Sequence, residues 1–367
     1  MEKYKVVVSR DLGPDAMPYL FARPELEVIV WPEGGLCERK WLLENVQGAS
    51  GIIVTLAEKV DEELIDKAGP SLKVVSTMSV GYEHVSLPIL AKRGIRLGYT
   101  PDILTDAVAD VAILLALMAS RNVKQTTTIV QNGDWPNYTW SPFLFCGPQI
   151  SGDPLPSIIS PSESTTDIDT GRVAGFLGFG RIAKATLKRL VAFGVKRCIY
   201  TGNPSSSSKN SSSEEDDKLA SQLGLSPGSI TRVSLQDLAS RSDILFVLAP
   251  GGQSTYHIIN ASIFSLMKPT SILINASRGT LVDSYALADA LREKKIWGAG
   301  VDVVEGEPGE VRKDHPLVKE ERCVVLPHVG SATFETRKGM ALLTVRNVVG
   351  GVLGGKMPTE LELKEYI

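Results

Sequence analysis

Short, unbroken apolar runs rich in β-branched residues recur along this chain, and they limit its fold more than any other feature. "KVVVS" (5–9), "EVIVW" (27–31), "GIIVT" (51–55) and "LKVVST" (72–77) form a first series. "GRVAGFLGFG" (171–180), "KRCIYTG" (196–202), "SDILFVLAP" (242–250), "TSILINASRG" (270–279), "IWGAGVDVV" (296–304) and "CVVLP" (323–327) form a second. Helical patterns lie between the runs. A strand with one wet face alternates apolar and polar residues, and these do not. Both faces must therefore be covered, which predicts parallel strands with helices packed on either side. The expected fold is α/β, with two domains that each have their own parallel sheet. A length of 367 residues suits that number, at about 100–200 residues per domain.

The helices suggest where the domains divide. "DEELIDKAG" has Asp61 to cap its start and Gly69 to end it. "TDAVADVAILLALMASRN" (105–122) is a long apolar helix between the two series, with Thr105 or Asp106 as its cap. "SATFETRKGMALLTVRNVVGGVLGG" (331–355) reads as a final helix, which would return the chain to the first domain. The expected division is 1–104 plus 334–367 for one domain and 105–333 for the other. The stretches 148–170 and 203–217 are polar and low in periodicity, and read as surface loops.

Charge and composition narrow the function. Hydrophobic residues make up 43%, enough for a sizeable core, and the net charge is −3 with no polybasic block. Neither a nucleic acid nor an anionic membrane surface is expected as a partner. A small anionic substrate is compatible, because a few local cations suffice to hold one. The longest apolar stretch, "VAILLALMA" (111–119), is about half a membrane span. The N-terminal apolar run is too short for a signal-peptide core. Cys37, Cys146, Cys198 and Cys323 are scattered, without a CxxC pair or a metal-type spacing. Reduced thiols, a cytoplasmic location and no metal are expected.

In "VAGFLGFGRIAKATLKRL" (173–190) a strand runs into Gly178-Phe179-Gly180-Arg181-Ile182-Ala183 and then a helix. In G-x-G-x-x-G/A the first glycine permits a tight turn and the second lets a pyrophosphate approach the backbone. The third small residue lets helix and strand pack closely. The helix N-terminus then offers free N–H groups to the phosphates, and Arg181 would add a cation. A purely structural turn also uses glycine, but here the strand before and the helix after supply the context for dinucleotide binding. The next strand ends in Thr201, Gly202 and Asn203, without the acid that usually holds the NAD ribose. A 2′-phosphate would meet no repulsion there, and Lys209 is near in sequence. NADP(H) is therefore favoured, with NAD(H) as the second choice.

Three polar groups follow strands of the second series: Arg278 after "SILINAS", Glu307 in "VDVVEGEP" and His328 after "VVL". Open parallel sheets bind ligands beyond the carboxyl ends of their strands, the edge on which the glycine loop also lies. Taken singly, Arg278 reads as a surface arginine, Glu307 as a loop carboxylate and His328 as a polar strand end. Taken together they suit carbonyl reduction. Histidine titrates near neutral pH and moves a proton, a carboxylate orients it, and arginine binds a substrate carboxylate and polarises the carbonyl. His84 lies near a glycine loop of the first domain and reads as packing. His257 and His315, with no carboxylate in view, read as structural.

The chain resembles the D-isomer-specific 2-hydroxyacid dehydrogenases, and most closely their glyoxylate/hydroxypyruvate reductase branch. The matching stretches are "STMSVGYEHV", "RGIRLGYTPDILTDAVAD", "GFLGFGRIAKATLKRL", "INASRGTLVD", "AGVDVVEGEP" and "LPHVGSAT", in family order over nearly the whole length. The resemblance implies a discontinuous, flavodoxin-like substrate domain closed by the C-terminal helix, beside a Rossmann dinucleotide domain. It also implies a homodimer formed largely through the latter. It assigns catalysis to Arg278, Glu307 and His328, and substrate-carboxylate binding to Arg278 with the Ser79-Val80-Gly81 loop. It places Asp302 at the nicotinamide amide and Ala249-Pro250 on the adenosine side, with Ala276, His328 and Gly330 as further cofactor contacts. Reduction of a small 2-keto acid is the expected activity. A dehydrogenase for another D-2-hydroxy acid and a dinucleotide-sensing corepressor are the alternatives. Formate oxidation is disfavoured by Glu307, since that branch lacks the acidic partner. The chain departs from the pattern at Ala183, in the insertion-like 148–170 segment, and at Leu144, where the reductase branch often has a pocket-shaping Trp. "VLAPGGQST" also replaces the usual proline-rich run.

Overall fold

The computed structural model describes residues 3–151, 171–202 and 213–366. The stretches 152–170 and 203–212, with Asn203 and Lys209, lie outside the described residues. The chain divides into two compact units, Met1–Leu104 with Ser331–Ile367, and Thr105–Gly330. The second crossing thus falls at Ser331, slightly ahead of residue 334. Among the described residues no helix is long and apolar enough to cross a membrane.

In the first unit, β1 (Tyr4–Val8), β2 (Leu26–Val30), β3 (Gly51–Val54), β4 (Val74–Thr77) and β5 (Arg96–Gly98) are parallel. The sheet order is Glu360–Leu361, β5, β4, β3, β1, β2. Val6, Val7 and Val8 are fully buried, as are Ile52, Ile53 and Val54, which is why these runs carry no polar alternation. Asp61 caps the Glu62–Ala68 helix by accepting from the Leu64 amide, and Gly69 ends it with φ 81°. The Phe334–Val352 helix starts at Thr333, whose hydroxyl accepts from the Thr336 amide, and is tied to β4 by Ser76 Oγ donating to Thr344 O at 2.9 Å. Glu360–Leu361 departs from the all-parallel expectation: it pairs antiparallel with β5. Buried Asn347 explains the return, donating to Tyr99 O at 3.1 Å and accepting from the Thr359 amide at 3.0 Å.

The second unit holds β6 (Val173–Leu177), β7 (Arg197–Thr201), β8 (Ile230–Arg232), β9 (Ile244–Val247), β10 (Ile272–Asn275), β11 (Gly298–Val301) and β12 (Cys323–Val325). All are parallel, in the order β12, β11, β10, β9, β6, β7, β8. The Thr105–Ser120 helix packs on β10 and β11 and against the Arg181–Ala192 helix, burying Ala109, Ala112, Leu115 and Ala116 completely. The order reverses between β6 and β9. In a doubly wound sheet that reversal opens a crevice at the carboxyl edge, where ligands bind.

Candidate active site

The loop after β10 is shaped from within. Asn275, almost fully buried, donates through Nδ2 to Arg278 O at 2.9 Å and accepts from the Ser277 amide at 3.2 Å. Ser277 Oγ donates to Ala249 O, which ties this loop to the end of β9. Arg278 is half-buried and donates through Nη1 to Ser277 O at 2.8 Å. Gly279 is fixed by contact: a Cβ there would overlap the main chain at Val304 and Glu305. The loops carrying Arg278 and Glu307 therefore touch backbone to backbone.

Asp302, 2% exposed, organises the loop after β12. Its carbonyl accepts from the His328 amide at 2.9 Å, Oδ1 from Val329 at 2.8 Å, and Oδ2 from Gly330 at 2.7 Å. Burial pushes its carboxyl above the ordinary value, and the two N–H bonds pull it back. These three bonds hold His328 at φ 55°, a conformation that side-chain-bearing residues seldom adopt. Within that frame His328 Nδ1 meets Glu307 Oε1 at 2.6 Å, and Glu307 Oε2 accepts from the Val304 amide at 3.0 Å. His328 Nε2 makes no hydrogen bond among the described residues. A ring oriented through one nitrogen, with the other unengaged, is arranged for proton transfer.

His257 is a correction to the sequence analysis, in which it had no carboxylate near it. Its Nε2 meets Glu305 Oε2 at 2.6 Å, and its Nδ1 faces Asp283 Oδ2 at 3.9 Å. Glu305 lies 48 residues away in sequence, so no local spacing signals the pair. His315 is structural: its Nδ1 accepts from the Leu317 amide at 3.3 Å.

The nucleotide turn is built around two different glycines. Gly178 has φ 85°, and a Cβ on it would come 2.6 Å from Ala249 Cα, so only glycine fits between β6 and β9. Its amide donates to Thr201 O at 3.0 Å. Gly180 opens the Arg181–Ala192 helix, and a Cβ there would meet nothing within 4 Å among the described residues. Among the described residues that helix has no capping side chain, and its first turn carries no acid, so no carboxylate of its own competes for its first N–H groups. Phe179 stacks on Tyr200 at 4.3 Å, and Ala183 is fully buried against the sheet. Ala249 is buried and Ala276 nearly so, while Pro250 is exposed at the same edge. Gly202 borders Arg232 at the end of β8, where a Cβ would lie 3.2 Å from Nη2. Arg232 was not singled out from sequence, because three residues give no strand pattern. The glycine turn and the uncapped helix start fit a dinucleotide pyrophosphate.

Ser79, Val80 and Gly81 follow β4 in the first unit. Ser79 is buried, donates to Gly81 O at 2.6 Å and shares a 2.7 Å hydrogen bond with Thr77 Oγ1. Thr77 in turn meets His84 Nε2 at 2.9 Å, so His84 braces this loop from behind. The Val80 and Gly81 amides make no hydrogen bond among the described residues.

Residues 113–330 match the family described as D-isomer specific 2-hydroxyacid dehydrogenase, NAD binding domain. The chain is 36% identical to the human glyoxylate reductase/hydroxypyruvate reductase, with 98% of each covered. It is also 36% identical to the glyoxylate reductase of Thermofilum pendens, covering 100% of this chain and 96% of that one. Among solved structures, the NADPH-dependent glyoxylate/hydroxypyruvate reductase of Sinorhizobium meliloti in complex with NADP and malonate superposes with a TM-score of 0.73. It is 30% identical and covers 99% of this chain and 98% of its own.

Proposed function

Because the chain belongs to the D-isomer-specific 2-hydroxyacid dehydrogenase family, we propose that it reduces glyoxylate or hydroxypyruvate to the corresponding hydroxy acid, with NADPH preferred over NADH. The carrying observation is the His328–Glu307 pair at 2.6 Å, with Nε2 unengaged at the carboxyl edge of a dinucleotide-binding sheet. The bound nicotinamide supplies a hydride to C2 of the substrate. His328 donates a proton from Nε2 to the carbonyl oxygen, and Glu307 keeps the ring aimed. Arg278 holds the substrate carboxylate and polarises the carbonyl. The Val80 and Gly81 amides of the first unit are assigned to carboxylate binding. The Gly178–Ile182 turn is assigned to the pyrophosphate, and Thr201, Gly202 and Arg232 to the adenosine ribose end. That end lacks an acid and has a cation, which supports NADPH, as does NADP in the Sinorhizobium meliloti relative. Asp302 is assigned to positioning the His328 loop.

The same proposal includes a homodimer. Trp135, Trp140 and Phe143 are 64%, 83% and 88% exposed in one segment of the second unit, which supports an interface there. Light scattering on the purified protein tests it, and a monomer at micromolar concentration would refute it.

The activity is tested by following NADPH and NADH oxidation across a panel of 2-keto acids, with bulkier members included because of Leu144. Turnover of glyoxylate or hydroxypyruvate is expected, faster with NADPH. No turnover of any 2-keto acid by folded protein would sink the enzymatic assignment.

A further inference from the structure

His257 lies outside both the proton-transfer pair and the nucleotide turn, yet its ring is held on three sides. Nε2 meets Glu305 Oε2 at 2.6 Å, Nδ1 faces Asp283 Oδ2 at 3.9 Å, and Tyr256 stacks on the ring at 4.0 Å with planes 14° apart. The carboxylates come from different strand ends. His257 follows β9, Asp283 caps the Ser284–Arg292 helix after β10, and Glu305 follows β11. The main chain repeats these ties. The His257 amide donates to Thr280 O at 2.8 Å, the Ile259 amide to Leu281 O at 3.0 Å, and the Asp283 amide to Ile259 O at 3.0 Å. His257 itself is held at φ 47°, in the region side-chain-bearing residues seldom occupy.

Glu305 belongs to the same turn as the proposed catalytic Glu307. In that turn the Val304 amide donates to Glu307 Oε2 at 3.0 Å and the Glu307 amide donates to Val304 O at 3.2 Å. The turn also abuts Gly279, next to Arg278, with no room for a Cβ. A shift of residues 304–305 would therefore be felt at Glu307 and at the Arg278 turn together. Proton transfer depends on sub-ångström alignment, so a small displacement there costs rate before it costs folding.

We propose that His257 and Glu305 form a positioning pair, a clasp across the loops after β9, β10 and β11 that fixes the Glu307 turn against the Arg278 turn. The inference rests on the assignment of Glu307 and Arg278 above. Both nitrogens of His257 face carboxylates, so the residue is assigned to positioning and not to contact with the reacting atoms.

The test uses the full chain as wild type, His257→Leu, His257→Gln, Glu305→Ala and the double variant His257→Leu/Glu305→Ala. Steady-state glyoxylate reduction is measured alongside amide hydrogen exchange over 303–308 and 278–282 without cofactor. His257→Leu and Glu305→Ala are each expected to lower kcat more than threefold, on the order of tenfold, with KM for glyoxylate little changed. His257→Gln keeps a donor for Glu305 and should recover most of kcat. The double variant should lose no more than the worse single, because the two residues act as one unit. Exchange over 303–308 should rise in His257→Leu. A kcat loss of threefold or less in both singles, additive losses, or unchanged exchange would each overturn the clasp. If His257→Leu does not fold, Glu305→Ala decides it by the same readouts. If the wild type turns over no keto acid, the proposed activity falls by itself and the exchange data decide the clasp.

Discussion

Two histidine–glutamate pairs stand at the carboxyl edge of the second unit's sheet, each closed at 2.6 Å and each on a histidine with positive φ. They differ in which nitrogen is engaged. His328 uses Nδ1 for Glu307 and leaves Nε2 unengaged, whereas His257 uses Nε2 for Glu305 and turns Nδ1 towards Asp283. The loops behind them differ as well. His328 hangs on Asp302, which takes three consecutive backbone amides, while His257 is tied to neighbouring loops through the Thr280 carbonyl and the Asp283 carboxylate. A histidine beside a carboxylate is therefore too coarse a description of a catalytic pair. On the roles proposed above, what separates the two is a nitrogen left for a third party, on a ring that the rest of the loop keeps still.

Removing the rings in turn is the strongest way to break this comparison. His328→Ala deletes the proposed proton donor, and kcat should fall by about 10²–10⁴-fold while NADPH affinity stays near that of the wild type. Steady-state kinetics and a fluorescence titration read the two quantities. Glu307→Gln keeps shape and loses charge. A charge-assisted hydrogen bond contributes about 1.5–3 kcal/mol, so kcat should fall roughly ten- to hundredfold. If His257→Leu fell as far as His328→Ala, the distinction between the two nitrogens would be wrong.

The sequence shows one of these pairs far better than the other, for a physical reason. A run such as "SILIN" or "CVVL" reports burial on both faces, and in a parallel sheet that burial fixes where the strand's carboxyl end lies. Arg278, Glu307 and His328 could thus be placed on one edge from their positions after such runs. His257 has no strand run immediately before it, and its contact with Glu305 depends on how two crossover loops meet, which leaves no period in the sequence. The same limit hid the bracing of the His328 loop by Asp302, whose partners there are backbone amides. It also hid the wall that Ala249 presents to Gly178. β5, β8 and Glu360–Leu361 were missed because two or three residues are too few to show any pattern.

Asp302→Ala sharpens the comparison at the level of the loop. It would leave the Val329 and Gly330 amides without their acceptor, at about 1–3 kcal/mol for each buried donor left unpaired. Stability to urea should fall by roughly 2–6 kcal/mol in total. Turnover should fall with it, because His328 loses its frame. The nucleotide turn carries the same contrast between an engaged and an open position, here in glycines. Gly178→Ala places a methyl 2.6 Å from main-chain Ala249 Cα and should lower both Tm and NADPH affinity. Gly180→Ala meets nothing within 4 Å among the described residues and should leave Tm unchanged while weakening NADPH, since that space is the one assigned to pyrophosphate. Equal effects at the two glycines, read by thermal melting and NADPH titration, would remove that assignment.

The smallest expected effect concerns the footing of the two pairs. β12 carries His328 beyond its top and begins at Cys323, which is fully buried, whereas the loop of His257 has no thiol of its own. Burial pushes the Cys323 thiol up to about 12 from an ordinary 9.0, with Lys124 pulling slightly the other way. In the unfolded chain the thiol ionises near its ordinary value, so the folded state binds the proton more tightly. The resulting stabilisation is complete below that value and is lost as the pH climbs through the window towards about 12. Cys37 and Cys198, also raised by burial, contribute with the same sign, so the wild type should lose stability progressively above about pH 9. Cys323→Ala removes one of these contributors. It should lower Tm at pH 7 through the small cavity it leaves, and it should make Tm fall less steeply between pH 8 and pH 10. Parallel slopes for the two proteins would mean that the base of β12 admits water. The strand that delivers His328 would then be no more rigidly founded than the loop that delivers His257.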